Sequence, residues 1–233
     1  MCKLPPMHPS ELKRAAARAA LDDLVVGAVL GVGSGSTVDL FVDELAALAA
    51  PPPGLVCASE RTAARARSQG LRVLALNDVL ADGGSIPVYV DGADEIDPRL
   101  RMIKGGGAAL TREKVVAAAS GHFVCIVDAS KCVERLGVFP LPVEVVPMAR
   151  ELVAQRLRAL GGTPSLREGL TDNGNEILDV RGLDLADPAA VEQRIEQWPG
   201  VVTAGLFAVR GADVAIIATP DGVERRTVSG ARG

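Results

Sequence analysis

Ala28-Val29-Leu30-Gly31-Val32-Gly33-Ser34-Gly35-Ser36-Thr37-Val38 runs from an apolar stretch through a glycine- and serine-rich turn into a new pattern. Ala28 to Val32 has the length of a strand, and its lack of polar residues suits one buried in a sheet. From Thr37 to Leu48 apolar residues recur at helical spacing, at Val38, Phe41, Val42 and Leu45. A strand that turns tightly into a helix is half of a βαβ unit, and the chain repeats the order. Pro51-Pro52-Pro53-Gly54 stops the helix. Leu55 to Ala58 reads as a second strand, and Arg61 to Gln69 as a helix ended by Gly70. Leu71 to Leu76 and Val88 to Val90 read as further strands. Upstream, Ser10 and Glu11 open an Ala-rich amphipathic helix that reaches about Asp23. This alternation predicts an α/β fold: a parallel sheet with helices on both faces. In such sheets ligands collect outside the carboxyl ends of the strands.

Further along, Thr111 to Ser120 reads as a helix and Phe123 to Val127 as a strand. The character then changes, with Pro140, Pro142 and Pro147 punctuating an apolar run. A helix (Ala149 to Leu160), a strand pair (Thr163 to Arg167 and Glu176 to Val180), a helix (Pro188 to Gln197) and a strand (Val201 to Phe207) follow. That order suits a small α+β insert. We expect one domain over 1–137 and 208–233, resuming near Asp213 to Ala218, and a second over 138–207.

Composition narrows the function. Aromatics are only 3%, so platforms for stacking nucleic-acid bases are not expected. The net charge of −4 argues against a broad electrostatic grip on nucleic acid, though not against a local pocket for a small phosphate. Cys2, Cys57, Cys125 and Cys132 form no C-x-x-C pair, and His8 and His122 lie far apart. Reduced thiols in a cytoplasmic protein are expected, and no zinc site. The N-terminus carries Lys3, Glu11, Lys13 and Arg14 and lacks an apolar leader core. The stretch from Ala15 to Leu30 is broken by Arg18, Asp22 and Asp23, so no membrane span is expected.

Four polar clusters carry chemistry. In Gly31 to Thr37, glycines present backbone N–H groups to an anion at a helix start, and Ser34, Gly35, Ser36 and Thr37 add donors. Ser36 stands where a dinucleotide fingerprint needs its third glycine, and no Gly-Lys-Ser/Thr follows, so a sugar-phosphate loop or a plain turn remains. Asp91-Gly92-Ala93-Asp94-Glu95-Ile96-Asp97 sets four carboxylates just after a strand. They could bind a divalent metal, serve as acid/base groups and hydroxyl acceptors, or form a solvated turn. Lys104-Gly105-Gly106-Gly107 places a cation beside three flexible backbone donors, and Glu113 opens the helix that follows, with Thr111 as a reasonable N-cap. A first-turn Glu complements the helix dipole in any case; the same field would keep the carboxylate ionised as a base. Lys131, in Asp128-Ala129-Ser130-Lys131, could neutralise an anion or be a surface lysine.

GVGSGSTV, YVDGADEID, MIKGGGAALTREK, FVCIVDASK, FPLPVEVVPMA, TDNGNEILDV, PGVVTAGLFA and GADVAIIATPDGV occur in this order from residue 31 to about residue 223. Together they closely resemble the type A ribose-5-phosphate isomerase family. The resemblance implies a Rossmann-like layer joined to a smaller ferredoxin-like α+β unit. It implies interconversion of D-ribose 5-phosphate and D-ribulose 5-phosphate in the pentose phosphate pathway, without cofactor or metal, by a homodimer or homotetramer. It casts Glu113 as the base that moves a proton between C1 and C2, and Asp91 as the group assisting ring opening. Asp94, Lys104 and the amides of Gly105, Gly106 and Gly107 become the polarising set. Ser34 to Thr37, Gly92, Ala93, Lys131 and Lys13 become substrate and phosphate contacts. A free Glu is a weak base, with a pKa near 4.3, so the donors around the oxyanion are expected to supply more of the rate. Two other readings are a sugar-phosphate-sensing module, for which no DNA-binding segment or basic patch is visible, and a metal-dependent enzyme using the Asp91–Asp97 carboxylates.

Overall fold

A computed structural model describes residues 8–227; Cys2, Lys3 and the outermost ends of the first expected domain lie outside them. The chain opens with α1 (Pro9–Ala19), β1 (Leu30–Val32), α2 (Ser36–Ala46), β2 (Leu55–Cys57), α3 (Glu60–Ser68), α4 (Leu76–Ala81) and β3 (Ile86–Asp91). Next come β4 (Glu95–Ile96), β5 (Met102–Ile103), α5 (Leu110–Ala118) and β6 (Ser120–Asp128). Then follow β7 (Leu141–Val145), α6 (Arg150–Ala159), β8 (Thr163–Leu166), β9 (Glu176–Arg181), α7 (Pro188–Glu196) and β10 (Val201–Ala204). The chain ends in β11 (Leu206–Phe207), β12 (Val214–Thr219) and β13 (Gly222–Thr227).

The main sheet has the order β13-β12-β6-β3-β1-β2, parallel except for the edge strand β13. The expected α/β, Rossmann-like layer is present. Side chains alternate between its faces with the period of two that a pleated strand dictates. Val88, Val90, Val124, Ile126, Val214 and Ile216 face α1 and α2. Tyr89, Phe123, Cys125, Val127, Ala215 and Ile217 face Val79 of α4 and Val116 and Ala117 of α5.

The second sheet, β10-β7-β9-β8, is antiparallel. With α6 and α7 it makes a β-α-β-β-α-β unit, the ferredoxin-like arrangement. Between the two sheets lies a three-stranded ribbon, β11-β5-β4. Its side chains are shared: Met102 and Phe207 pack in the core of the large sheet, Ile103 and Leu206 in that of the small one. Lys104 follows directly on this ribbon, its N–H bonded to the Gly205 carbonyl at 2.8 Å.

Several elements depart from expectation. Leu71 to Leu76 is not a strand; it makes a single bridge, Val73 to Leu55, at the edge of the three-residue β2, and then becomes α4. Val201 to Phe207 splits at Gly205, where a Cβ would lie 2.3 Å from the Lys104 carbonyl, so β10 and β11 enter different sheets. α1 starts one residue before Ser10, capped by His8 in a reciprocal pairing with Glu11. Thr111 is not an N-cap: Ala109 holds that position, and the Thr111 hydroxyl donates to Glu144.

Candidate active site

The large sheet reverses its strand order between β1 and β3, and a cleft of about 110 Å³ opens at their carboxyl ends. This is the position that the parallel topology assigns to a ligand. Its walls are Ser34 to Thr37, Gly92 to Asp94, Lys104, Gly107, Glu113, Val127 and Lys131. The four clusters, up to 97 residues apart in sequence between Ser34 and Lys131, therefore meet in one place.

One wall is the start of α2. Gly35 occupies the cap position at φ 101°, a backbone region that a side chain would strain, and no side chain caps the helix. Its first-turn N–H groups are left for an anion. Lys13, on α1, reaches the same spot: its Nζ lies 2.8 Å from Ser36 Oγ. Lys131 faces it from the turn after β6 and forms no ion pair among the described residues. Two ammonium groups, three hydroxyls and a helix N-terminus make a corner whose chemistry suits an anion such as a phosphate.

The floor holds three buried charges. Lys104 is 2% exposed and lies between two carboxylates: Nζ is 2.7 Å from Asp91 Oδ2 and 3.2 Å from Glu113 Oε2. It also donates to the Gly92 carbonyl at 2.6 Å. Burial works against its charge, but the two carboxylates overcome that and raise its pKa. Glu113 shows the opposite balance. Burial, then repulsion from Asp91, pushes its carboxyl up to about 7, against the pull of Lys104 and of Ser34. The expected weak, dipole-stabilised base is thus corrected: burial makes Glu113 a stronger one, titrating near neutrality. Its Oε1 accepts from Ser34 Oγ at 2.6 Å, while Oε2 is buried with the Lys104 ammonium 3.2 Å away.

Asp91 does not line the cleft. It is fully buried, and its oxygens accept from Ser34 N at 3.0 Å, Gly92 N at 2.7 Å, Lys104 and the Tyr89 hydroxyl. Gly33 makes this possible, since a Cβ there would stand 1.9 Å from the Asp91 carboxyl. Asp91 therefore acts on the cleft from behind, through Lys104, the Ser34 amide and its repulsion of Glu113. Tyr89 was not singled out from the sequence; it shares a strand face with Asp91 two residues on, and that spacing is the signal that could have found it. Burial and the neighbouring carboxylate raise its pKa, so it remains a donor.

The other carboxylates of the acidic turn diverge. Asp94 accepts from Gly106 N at 2.8 Å and faces the cleft. Glu95 accepts from Gly137 N at 2.7 Å and from Phe139 N, and Asp97 binds Arg101 and the Arg99 amide. Among the described residues no group of three or more His, Cys, Asp or Glu side chains is placed to hold a metal ion. Gly105 and Gly106 lie behind Gly107, held from the second sheet by Arg167, another residue the sequence did not single out.

Residues 54–222 match the family model for ribose 5-phosphate isomerase A (phosphoriboisomerase A). The ribose-5-phosphate isomerase A of Bordetella bronchiseptica is 60% identical over 220 residues, which covers 92% of this chain and 96% of that protein. The crystal structure of ribose 5 phosphate isomerase A from Neisseria gonorrhoeae superposes with a TM-score of 0.93 at 41% identity, covering 97% of this chain and all of that one. A D-ribose-5-phosphate isomerase in complex with phospho-erythronic acid gives 0.88 at 33% identity, covering 95% of this chain and all of that one.

Proposed function

Because the chain belongs to the ribose 5-phosphate isomerase A family, we infer that it interconverts D-ribose 5-phosphate and D-ribulose 5-phosphate, an aldose–ketose isomerase of the pentose phosphate pathway. The observation that carries the site assignment is the cleft itself, where an anion-binding helix start and a carboxyl titrating near neutrality face each other across it.

The phosphate sits against Ser36, Thr37 and the first N–H groups of α2, countered by Lys13 and Lys131. Gly92 and Ala93 border the sugar. Ring opening moves a proton from the anomeric hydroxyl to the ring oxygen. Asp94 and Lys104 assist it, with Asp91 and, behind it, Tyr89 fixing the ammonium. In the open aldehyde, the Glu113 carboxylate takes the C2 proton. The electron pair left on carbon becomes a cis-enediolate, whose oxygens are met by Lys104 and the Gly107 amide. The hydroxyl proton passes from O2 to O1, and Glu113 returns the carbon-bound proton to C1, giving the ketose. One such donor is typically worth about 3 kcal/mol in the transition state, and a base near pKa 7 is matched to neutral pH in both directions.

The test is one assay: purified protein and ribose 5-phosphate with EDTA, following ribulose 5-phosphate. We expect full turnover after exhaustive chelation, and Glu113→Gln to lose at least about a thousand-fold in kcat while binding substrate with similar affinity. Loss of activity on chelation would return the metal-dependent reading, and near-normal kcat in Glu113→Gln would remove Glu113 from the role. Substrate binding without any turnover would favour a sensing module.

The chain is also proposed to act as a homodimer or homotetramer in the cytoplasm. Val146, Met148 and Leu152 are exposed within seven residues, and Val202 lies alongside through the β10–β7 pairing, an apolar patch suited to a second copy. No helix among the described residues is long and apolar enough to cross a membrane, and Cys57, Cys125 and Cys132 are free thiols.

A further inference from the structure

The glycine turn between Lys104 and Ala109 is held from outside the cleft by a side chain of the second sheet. Arg167, just past β8, places Nη1 2.7 Å from the Gly105 carbonyl and 3.3 Å from the Gly106 carbonyl. The rest of its guanidinium is clamped by Asp179 of β9, with Nε 2.8 Å from Oδ2 and Nη2 on Oδ1. This two-point fork fixes the plane and direction of the cation.

The peptide bonds concerned are trans, so each carbonyl points away from the N–H of the next residue. A guanidinium on the Gly105 carbonyl therefore sends the Gly106 N–H the other way, where it meets Asp94 at 2.8 Å. A guanidinium on the Gly106 carbonyl sends the Gly107 N–H away from Arg167; Gly107 lines the cleft, and its N–H has no protein acceptor among the described residues. The Gly105 carbonyl also accepts from the Ala108 N–H at 3.0 Å across the turn, whereas among the described residues the Gly106 carbonyl has Arg167 as its partner, and a glycine there has no side chain to restrain it. A positive charge at a carbonyl oxygen also polarises the amide and strengthens its N–H as a donor.

We propose that Arg167, locked by Asp179, is a positioning residue that holds the Gly106 amide on Asp94 and aims and polarises the Gly107 amide toward the developing oxyanion. This rests on the isomerase reading of the cleft and extends it: the second sheet contributes to catalysis through these two side chains rather than serving only as a wall.

The experiment compares two ligands. Phospho-erythronic acid carries a planar carboxylate where the enediolate would form; ribitol 5-phosphate carries neutral hydroxyls there and keeps the phosphate. In Arg167→Ala we expect affinity for the carboxylate to fall about 10- to 100-fold, in step with kcat, while affinity for ribitol 5-phosphate and KM change by less than about three-fold. Millimolar guanidinium added to Arg167→Ala should restore part of kcat. Asp179→Asn, which loosens the fork but keeps the cation, should show the same pattern more weakly, and serves where Arg167→Ala does not fold. Equal weakening of both ligands, or unchanged carboxylate affinity and kcat, would overturn the proposal. If the unsubstituted protein itself shows no preference for the carboxylate over the alcohol, the oxyanion reading of the turn fails and this inference with it. If that preference exists and Arg167→Ala keeps it, only the role of Arg167 falls.

Discussion

Glu113 is a charged group 3% exposed, and its environment sets both its chemistry and its cost. Burial and Asp91 push its carboxyl up to about 7, so kcat/KM should rise with pH through an acid limb near that value. Ser34 donates to the ionised form and holds the pKa down. Ser34→Ala should therefore move the acid limb to higher pH and lower kcat/KM at pH 7; a limb that stays put would break the link. Stability carries the same signature. The folded carboxyl keeps its proton to about pH 7, while the unfolded one releases it near 4.3. Between those values the native state binds more protons, so rising pH removes stability across that window. Glu113→Gln has nothing to titrate there, and its denaturation midpoint should fall less between pH 5 and pH 7 than that of the unsubstituted protein.

Helix α5 carries Glu113, and it is anchored at its first turn by the small sheet. Glu144 of β7 is fully buried and accepts from Thr111, from Thr171 at 2.8 Å, from Asn175 at 2.8 Å and from Asn173 at 3.2 Å. The same 171–175 loop receives Arg112, whose Nε lies 2.9 Å from Asn173 Oδ1. A carboxylate that accepts four neutral donors cannot become an amide without opposing N–H to a donor. Glu144→Gln should cost about 2 kcal/mol in chemical denaturation and lower kcat by loosening the seat of Glu113. Stability within error of the parent would show the network to be dispensable. Much of this level was invisible in sequence. The strand–helix alternation around Gly33 read correctly because glycine turns and apolar runs are local signals. Thr111 was misjudged because a hydroxyl at a helix start has two uses, and only the fold brings Glu144 to it. Leu71 to Leu76 looked like a strand because it is largely apolar, and the sequence does not tell that the strand it bridges, β2, is three residues long.

Across the whole molecule, the sequence clusters announced which residues matter but not how they divide the work. Asp91, Asp94, Glu95 and Asp97 looked like one acidic turn; in the fold they serve Lys104, the glycine turn, the chain at 137–139 and Arg101 in that order. Adjacent residues on a strand and its following turn point in different directions, and no periodicity reports where each will land. Arg167 was missed for the same reason, lying 60 residues beyond Gly107 and on another sheet. Assembly belongs to this scale too. If the patch at Val146, Met148 and Leu152 meets a second copy, light scattering should give a mass of two or four chains, and Met148→Glu, at a side chain 99% exposed, should reduce it without unfolding the chain. A monomer at micromolar concentration would exclude the patch as an interface.

The exposed strand β13 bears on how copies can meet. It runs antiparallel along the end of an otherwise parallel sheet, and Glu224, Arg225 and Arg226 stud it, with Arg225 tied back to Asp23 at 2.9 Å. Charges on a rim strand discourage another backbone from adding there. At the opposite rim, β2 already has its outer bonds taken at Leu55 by the segment through Val73. The sheet therefore resists growth in either direction. At this sheet, recognition between molecules is left to side chains, where single substitutions can tune or abolish it, and open-ended addition of strands has no template along its two rims.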